Sequence, residues 1–153
     1  MGRAHDHETR QRRLEEALQQ SEQRFERLVE AAKDYAIFMM AADGRVSTWN
    51  EGAQRLFGYE EAQIVGEDGS ILFTEEDRQS DAPERELQKA RTEGRAEDER
   101  WHVRKDGSRF WASGFVRPIL DAEDNLIGFS KVARDLTERK RAEETLEEVR
   151  LAE

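Results

Sequence analysis

Cysteine is absent from the 153 residues. That excludes disulfides, thiolate nucleophiles, zinc ribbons and cysteinyl photochemistry. Histidine is scarce: His5, His7 and His102 are the three, and two of them lie in a polar leading segment, which is no basis for a histidine-rich metal site. No apolar run approaches membrane-spanning length, and no signal-type hydrophobic stretch follows Met1. Positive charge is in deficit, with 25 Lys and Arg against 35 Asp and Glu, a net charge of −10. Such a balance argues against non-specific nucleic-acid binding and against anionic membrane surfaces. Apolar residues make up 36% and charged residues 39%, so part of the chain is expected to stay solvated outside the core. These deficits point to a cytoplasmic protein with neither nucleic acid nor membrane as partner.

Catalytic patterns are missing as well. There is no Ser-His-Asp set in a plausible context, no Walker glycine loop and no metal-ligand spacing. The stretch Gly66-Glu67-Asp68-Gly69 carries two acids and would repel phosphate, and Glu75-Glu76 reads as a solvated helix start. The His5–His7 region lacks a kinase phosphoacceptor pattern. The chain is therefore expected to be no enzyme in itself.

What is present falls into three parts. Residues 1–32 read as an amphipathic helix with no Pro or Gly between Arg3 and Gly44. Leu14, Leu18, Ser21, Phe25, Leu28 and Ala32 are spaced 4, 3, 4, 3, 4, a heptad seam with one polar member. Two arrangements satisfy it: packing on the chain's own domain, or a coiled coil that makes a homodimer through Leu14, Leu18, Phe25 and Leu28. Residues 33–134 hold all three Trp and enough chain for one small core. Residues 135–153 read as a second helix. Asp135 followed by Glu138 fits a capping box, with Thr137 in the first turn, and Ala142, Leu146 and Val149 continue a seam. No stop signal precedes Glu153, so this helix is expected to lead into a longer parent. The segment Thr9–Leu18 also aligns with Thr137–Leu146 at a constant offset (137 − 9 = 128), as in one unit of a tandem array.

In the middle part, Tyr35–Ala41 reads as a strand, Asp43-Gly44 as a hairpin turn and Arg45–Trp49 as the return strand. Asn50 is a natural N-cap for a short helix over Glu51–Phe57 that ends at Gly58. Short helical pieces and a helix-like stretch over Glu75–Glu93 follow, with Asp81 able to cap and Pro83 tolerated in a first turn. Three strands come next, Glu97–Lys105, Ser108–Leu120 and Asn125–Arg134, joined at Asp106-Gly107 and Asp121–Asp124. The class is α+β with a five-stranded antiparallel sheet, short central helices and coiled-coil-type helices at both ends.

That order, together with AIFMMAADGRVSTWNEGAQRLFGY (36–59), RWHVRKDGSRFWASG (100–114) and LIGFSKVARDLTERK (126–140), resembles a PAS domain over about residues 25–140. The resemblance implies a sensory and dimerisation module of a larger signalling protein, such as a sensor histidine kinase, covalently linked to an output domain. It fixes role rather than ligand. In the flavin photosensor branch, a cysteine is expected where this chain has Gly69, and polar flavin-binding side chains where it has His102, Ala112 and Ala133. None matches. The haem branch expects a histidine on the long middle helix, around Asp81–Glu93, which has none. The expected cofactor is therefore none, with haem or flavin held in an atypical mode as the alternative.

The resemblance turns His102 inward and Trp101 outward, whereas simple alternation would bury Trp101 and Val103. Arg100, His102, Ala112, Gly114 and Lys131 are the candidate pocket residues. Arg100 and His102 fit either a polar rim satisfied by nearby Asp or Glu, or recognition of a small polar or anionic ligand; Lys131 could add to the charge. Trp101, Trp111 and Phe115 are expected to cluster on the outer sheet face beneath the Phe25–Ala32 end of the first helix. Asp135, Thr137 and Glu138 are expected to couple the last strand to the exit helix.

Overall fold

The computed structural model describes residues 2–152, with side chains at 4–24, 27–28 and 32–152. The chain divides into two compact units, Met1–Lys33 and Asp34–Glu153. The first is one helix, α1 (Gly2–Ala31), built from good helix formers. Its seam residues Leu14, Leu18 and Leu28 are 65%, 60% and 68% exposed. The side chain of the fourth, Phe25, lies outside the described residues, as does most of the expected Phe25–Ala32 cover.

The second unit runs β1 (Tyr35–Ala41), α2 (Glu51–Phe57), α3 (Glu61–Ile64), α4 (Glu75–Gln79), α5 (Ala82–Glu93), β2 (Ala96–Val103), β3 (Arg109–Leu120), β4 (Leu126–Asp135) and α6 (Thr137–Ala152). The strands form one antiparallel sheet in the order β1-β4-β3-β2. Alternation sends Ala36, Phe38 and Met40, Phe110, Ala112 and Val116, and Phe129 and Ala133 to one face. There they pack against Phe57, Ile64, Leu72 and Ala90 from the helical segment. Small residues on the two central strands leave room for Phe57, which lies 5.1 Å from the Phe110 ring and 5.5 Å from Trp49. Gly114 and Gly128 are required by close approach: a Cβ at Gly114 would stand 1.8 Å from Val132 O, and one at Gly128 2.3 Å from Met40 O.

The sheet has four strands among the described residues, where five were expected. The turn at Asp43-Gly44 forms, with Gly44 at φ +90° and Ala41 N–H bonded to Arg45 O at 2.8 Å. The return segment then divides its backbone bonds between two neighbours. Ser47 N–H goes to Met39 O, while Val46 N–H goes to Glu67 O and Val46 O accepts from Gly66 N–H. Only isolated bridges result, Met40 with Val46 and Arg45 with Asp68. The helix-like stretch 75–93 also breaks in two. Asp81 adopts φ +61° at the start of α5, and its side chain does not cap; Thr74 caps α4 instead, accepting from Asp77 N–H at 3.2 Å. Trp101 and Trp111 pair edge to face at 5.3 Å on the outer sheet face, as alternation from the inward His102 requires. Phe115 is separate from that pair, with the guanidinium groups of Arg95 at 4.1 Å and Arg117 at 5.4 Å over its ring.

Candidate functional site

The inner face of β2 reads Ala96, Asp98, Arg100, His102 by alternation, which carries charge into the core. Asp98 and His102 are fully buried, and Lys131 enters from β4 and Glu86 from α5. Burying such groups is tolerable only if they satisfy one another. Lys131 Nζ donates to Glu86 Oε1 at 3.0 Å and to Asp98 Oδ2 at 2.5 Å. Arg100 Nε donates to Asp98 Oδ1, and its Nη1 lies 3.3 Å from Asp77 Oδ2 at the surface end of the network. Phe73 lies under both cations, 4.7 Å from Lys131 Nζ and 5.3 Å from the Arg100 guanidinium.

Both ring nitrogens of His102 face oxygen acceptors at 2.9 Å, Leu72 O and Asp98 Oδ2. A neutral imidazole has one N–H, so only one of the two acceptors can receive it in a given tautomer. Burial and the Lys131 ammonium lower the His102 pKa, against the pull of Asp98. Burial works to raise the Asp98 carboxyl, but Lys131 and the His102 hydrogen bond outweigh it and hold that group below its ordinary range. Glu86 moves the other way: burial raises it, and repulsion from Asp98 adds to that, against the attraction of Lys131. Its Oε2 has no hydrogen-bond partner, and Arg100 Nε at 3.7 Å is too distant to be one.

Beside this network is a cavity of about 70 Å³ between β1, the Gly69–Leu72 3₁₀ turn and α5. Phe38, Met40, Leu72 and Leu87 supply its apolar wall, and Glu86 and Lys131 its buried polar end. Sites that enclose drug-sized molecules run from about 300 Å³ upward, so this cavity as it stands is several times smaller. Of the five pocket residues expected from sequence, Lys131 lines the cavity. His102 is behind it in the network, and Arg100 opens onto an outer groove with Trp101 and Trp111. Ala112 is part of the packed core, and Gly114 is the close-approach residue between β3 and β4. Glu86 and Asp98, the two buried acids, were missed. The spacing Ala82, Glu86, Ala90 on α5 and the alternation of β2 are the signals that could have found them. Among the described residues no group of three His, Cys, Asp or Glu is placed to hold a metal ion.

The junction between sheet and exit helix is densely bonded. Thr137 N–H and Oγ1 both donate to Asp135 Oδ1. Trp111 N–H donates to Thr137 Oγ1 at 2.9 Å, and Leu136 N–H to Trp111 O at 2.8 Å. Lys140 Nζ lies 4.3 Å from the Trp111 ring. Arg104 spans from Leu56 O on α2, at 3.1 Å, to Asp135 Oδ2, at 3.3 Å. The Glu138 half of the expected capping box makes no return bond among the described residues; Asp135 sits two residues before the helix and acts through Thr137.

A family model described as PAS domain matches residues 34–138, more than half of the chain. Two-component system protein A of Emericella nidulans is 50% identical over 116 residues, which cover 76% of this chain and 17% of that protein. The chain thus spans about one sixth of the curated relative. Among solved structures, the PAS domain of a protein from Colwellia psychrerythraea superposes with a TM-score of 0.65 at 23% identity, covering 74% of this chain and 98% of that one. The blue-light activated histidine kinase EL346 of Erythrobacter litoralis gives 0.59 at 23% identity, covering 71% and 36%. At that identity the two structures share the fold. No helix among the described residues is long and apolar enough to cross a membrane.

Proposed function

The chain belongs to the PAS domain family, and on that premise we propose that it is a cytoplasmic sensory and dimerisation module of a larger two-component signalling protein, a sensor histidine kinase or similar enzyme. It detects a change at its cavity or at its dimer interface and passes that change through the terminal helices to a covalently linked output domain. The chain itself supplies no catalytic group. One observation carries the reading: β4 holds Lys131 in the buried charge network and, four residues later, ends in Asp135, which organises the start of α6. Displacing Lys131 by perturbing its carboxylate partners moves the strand. Asp135, tied to Thr137 and to Arg104, moves the helix with it. Arg104 adds a second route, because it also holds the end of α2. The 50% identity to a protein named for the two-component system supports the setting, and the 17% coverage supports the place of the module within a longer chain.

The test is Asp135→Ala in a histidine kinase carrying this module. As a plain cap the residue contributes about 1 kcal/mol. As a coupler it does more: the variant stays folded and dimeric, yet its autophosphorylation no longer follows the parent's signal. A variant that loses a little stability but keeps the whole response would leave Asp135 as a cap alone.

A further inference from the structure

We infer that the cavity beside α5 is a site for a small organic cation, an ammonium head on a short alkyl stem. The inference rests on the reading of this cavity as the sensory one, and names its ligand class. Glu86 is a buried residue, 6% exposed, and it lines the cavity. Its Oε2 is the one buried side-chain polar atom without a hydrogen-bond partner among the described residues. At a pH above its raised pKa Glu86 is ionised and its oxygens accept only, so whatever then completes Oε2 must donate. The positive groups at hand are already engaged. Lys131 is shared between Glu86 Oε1 and Asp98, and Arg100 is held by Asp98 and Asp77, reaching Glu86 Oε2 only as an ion pair at 3.7 Å, beyond hydrogen-bond distance.

The approach to the cavity has the same sign. Asp43, Asp68 and Glu84 are exposed residues of its lining, and Lys131 is the single cation there. Asp43 is offset by Arg45 at 3.7 Å, on the surface. An anion entering would meet four carboxylates, Asp43, Asp68, Glu84 and Glu86, against the one ammonium of Lys131. A cation meets a graded negative field that ends at an incomplete acceptor.

Size and polarity set the rest of the ligand. Cavities of about 150 Å³ accept benzene, so about 70 Å³ admits roughly three or four heavy atoms. Phe38, Met40, Leu72 and Leu87 form an apolar wall for a stem of one or two carbons. So small a ligand binds at millimolar strength at best.

The experiment titrates the full, isotope-labelled chain with ethylammonium chloride at constant ionic strength. Ethanol and sodium acetate serve as neutral and anionic probes of similar size. Saturable amide shifts at Gly44, Gly69 and Lys131 are expected with ethylammonium, with a millimolar midpoint, and not with acetate. Glu86→Gln should weaken ethylammonium at least about tenfold, the scale of one charged hydrogen bond. Glu84→Gln, at an exposed position that leaves folding intact, should weaken it about twofold or more, and decides the matter if the Glu86 variant does not fold. Acetate binding better than ethylammonium, or ethylammonium binding unchanged in the folded variants, would overturn the cation site while leaving the cavity as a sensory pocket. No saturable shift with any of the three probes would overturn both.

Discussion

Asp98 faces Lys131, Arg100 and His102 at once, so one carboxylate ties together β2 and β4. Breaking such a buried set on one side is costly, because it strands the remaining charge. Lys131→Met should cost about 3–5 kcal/mol in urea denaturation. Lys131→Met with Glu86→Leu should cost less than Lys131→Met alone, since the second change removes a stranded acid; a double variant weaker than the single would contradict the ion-pair account. Acid and base within the network also oppose each other. Glu86, facing Lys131, Asp98 and Arg100, has its pKa raised from 4.5, so its share of stability is lost as pH rises through the folded value. His102, facing Asp98 and Lys131, has its pKa lowered from 6.5, so its share is lost as pH falls below 6.5. Between pH 4.5 and 6.5 the two slopes partly cancel. Urea midpoints of Glu86→Gln should therefore rise with pH more steeply than those of the parent, and those of His102→Gln should fall, each by at most about 1.4 kcal/mol per pH unit. Parallel profiles for all three proteins would mean that neither group titrates in that window. Asp98 joins only at stronger acid, below its ordinary 3.8.

At the scale of elements, the second unit is organised by a few polar side chains at helix ends. Asn50 caps α2 by accepting from Ala53 N–H at 2.8 Å, but it also accepts from Ile37 N–H at 2.9 Å and donates to Tyr35 O at 3.0 Å. It is a cap and a strand clasp together, so Asn50→Ala should cost about 2 kcal/mol, the upper end for a cap. Chemical denaturation of the variant checks this, and a cost near 0.5 kcal/mol would mean that the β1 contacts contribute little. The N-cap at Asn50, the left-handed Gly58 and the turns at Gly107 and Asp121–Asp124 were legible in the sequence because each is local chemistry. The hairpin after Ala41 was legible as a turn and not as a strand. Whether Val46 pairs with β1 or with Gly66 and Glu67 depends on a segment twenty residues away. The break at Asp81 was hidden in the same way: Asp is a plausible cap anywhere, and only the φ of +61° shows that it serves as a turn. The candidate site was half legible. Lys131 and His102 stood out as charges among apolar strand residues, while Glu86 was lost in a helix of mixed charge where only its spacing from Ala82 and Ala90 marks the buried stripe.

For the whole molecule, α1 presents Leu14, Leu18 and Leu28 to solvent in a single chain, on a helix too polar to persist alone. A second copy is the partner that a heptad seam suits, so Leu18→Glu should convert a dimer to a monomer in light scattering at micromolar concentration. An unchanged dimer mass would assign the interface elsewhere. α6 repeats the pattern with Leu146 and Val149 exposed. The sheet order has a consequence in time rather than space. Among the described strands β1 is the first made, and the one strand it pairs with is β4, the last, some ninety residues later. At 5–20 residues per second, a ribosome takes roughly 5–20 s to cover that distance. Throughout that interval Phe38 and Met40 lack their β4 partners Lys131 and Phe129. The nascent chain therefore carries an open apolar segment until its final strand emerges, and a truncated product that ends before β4 is a substrate for chaperones and proteases rather than a smaller folded domain.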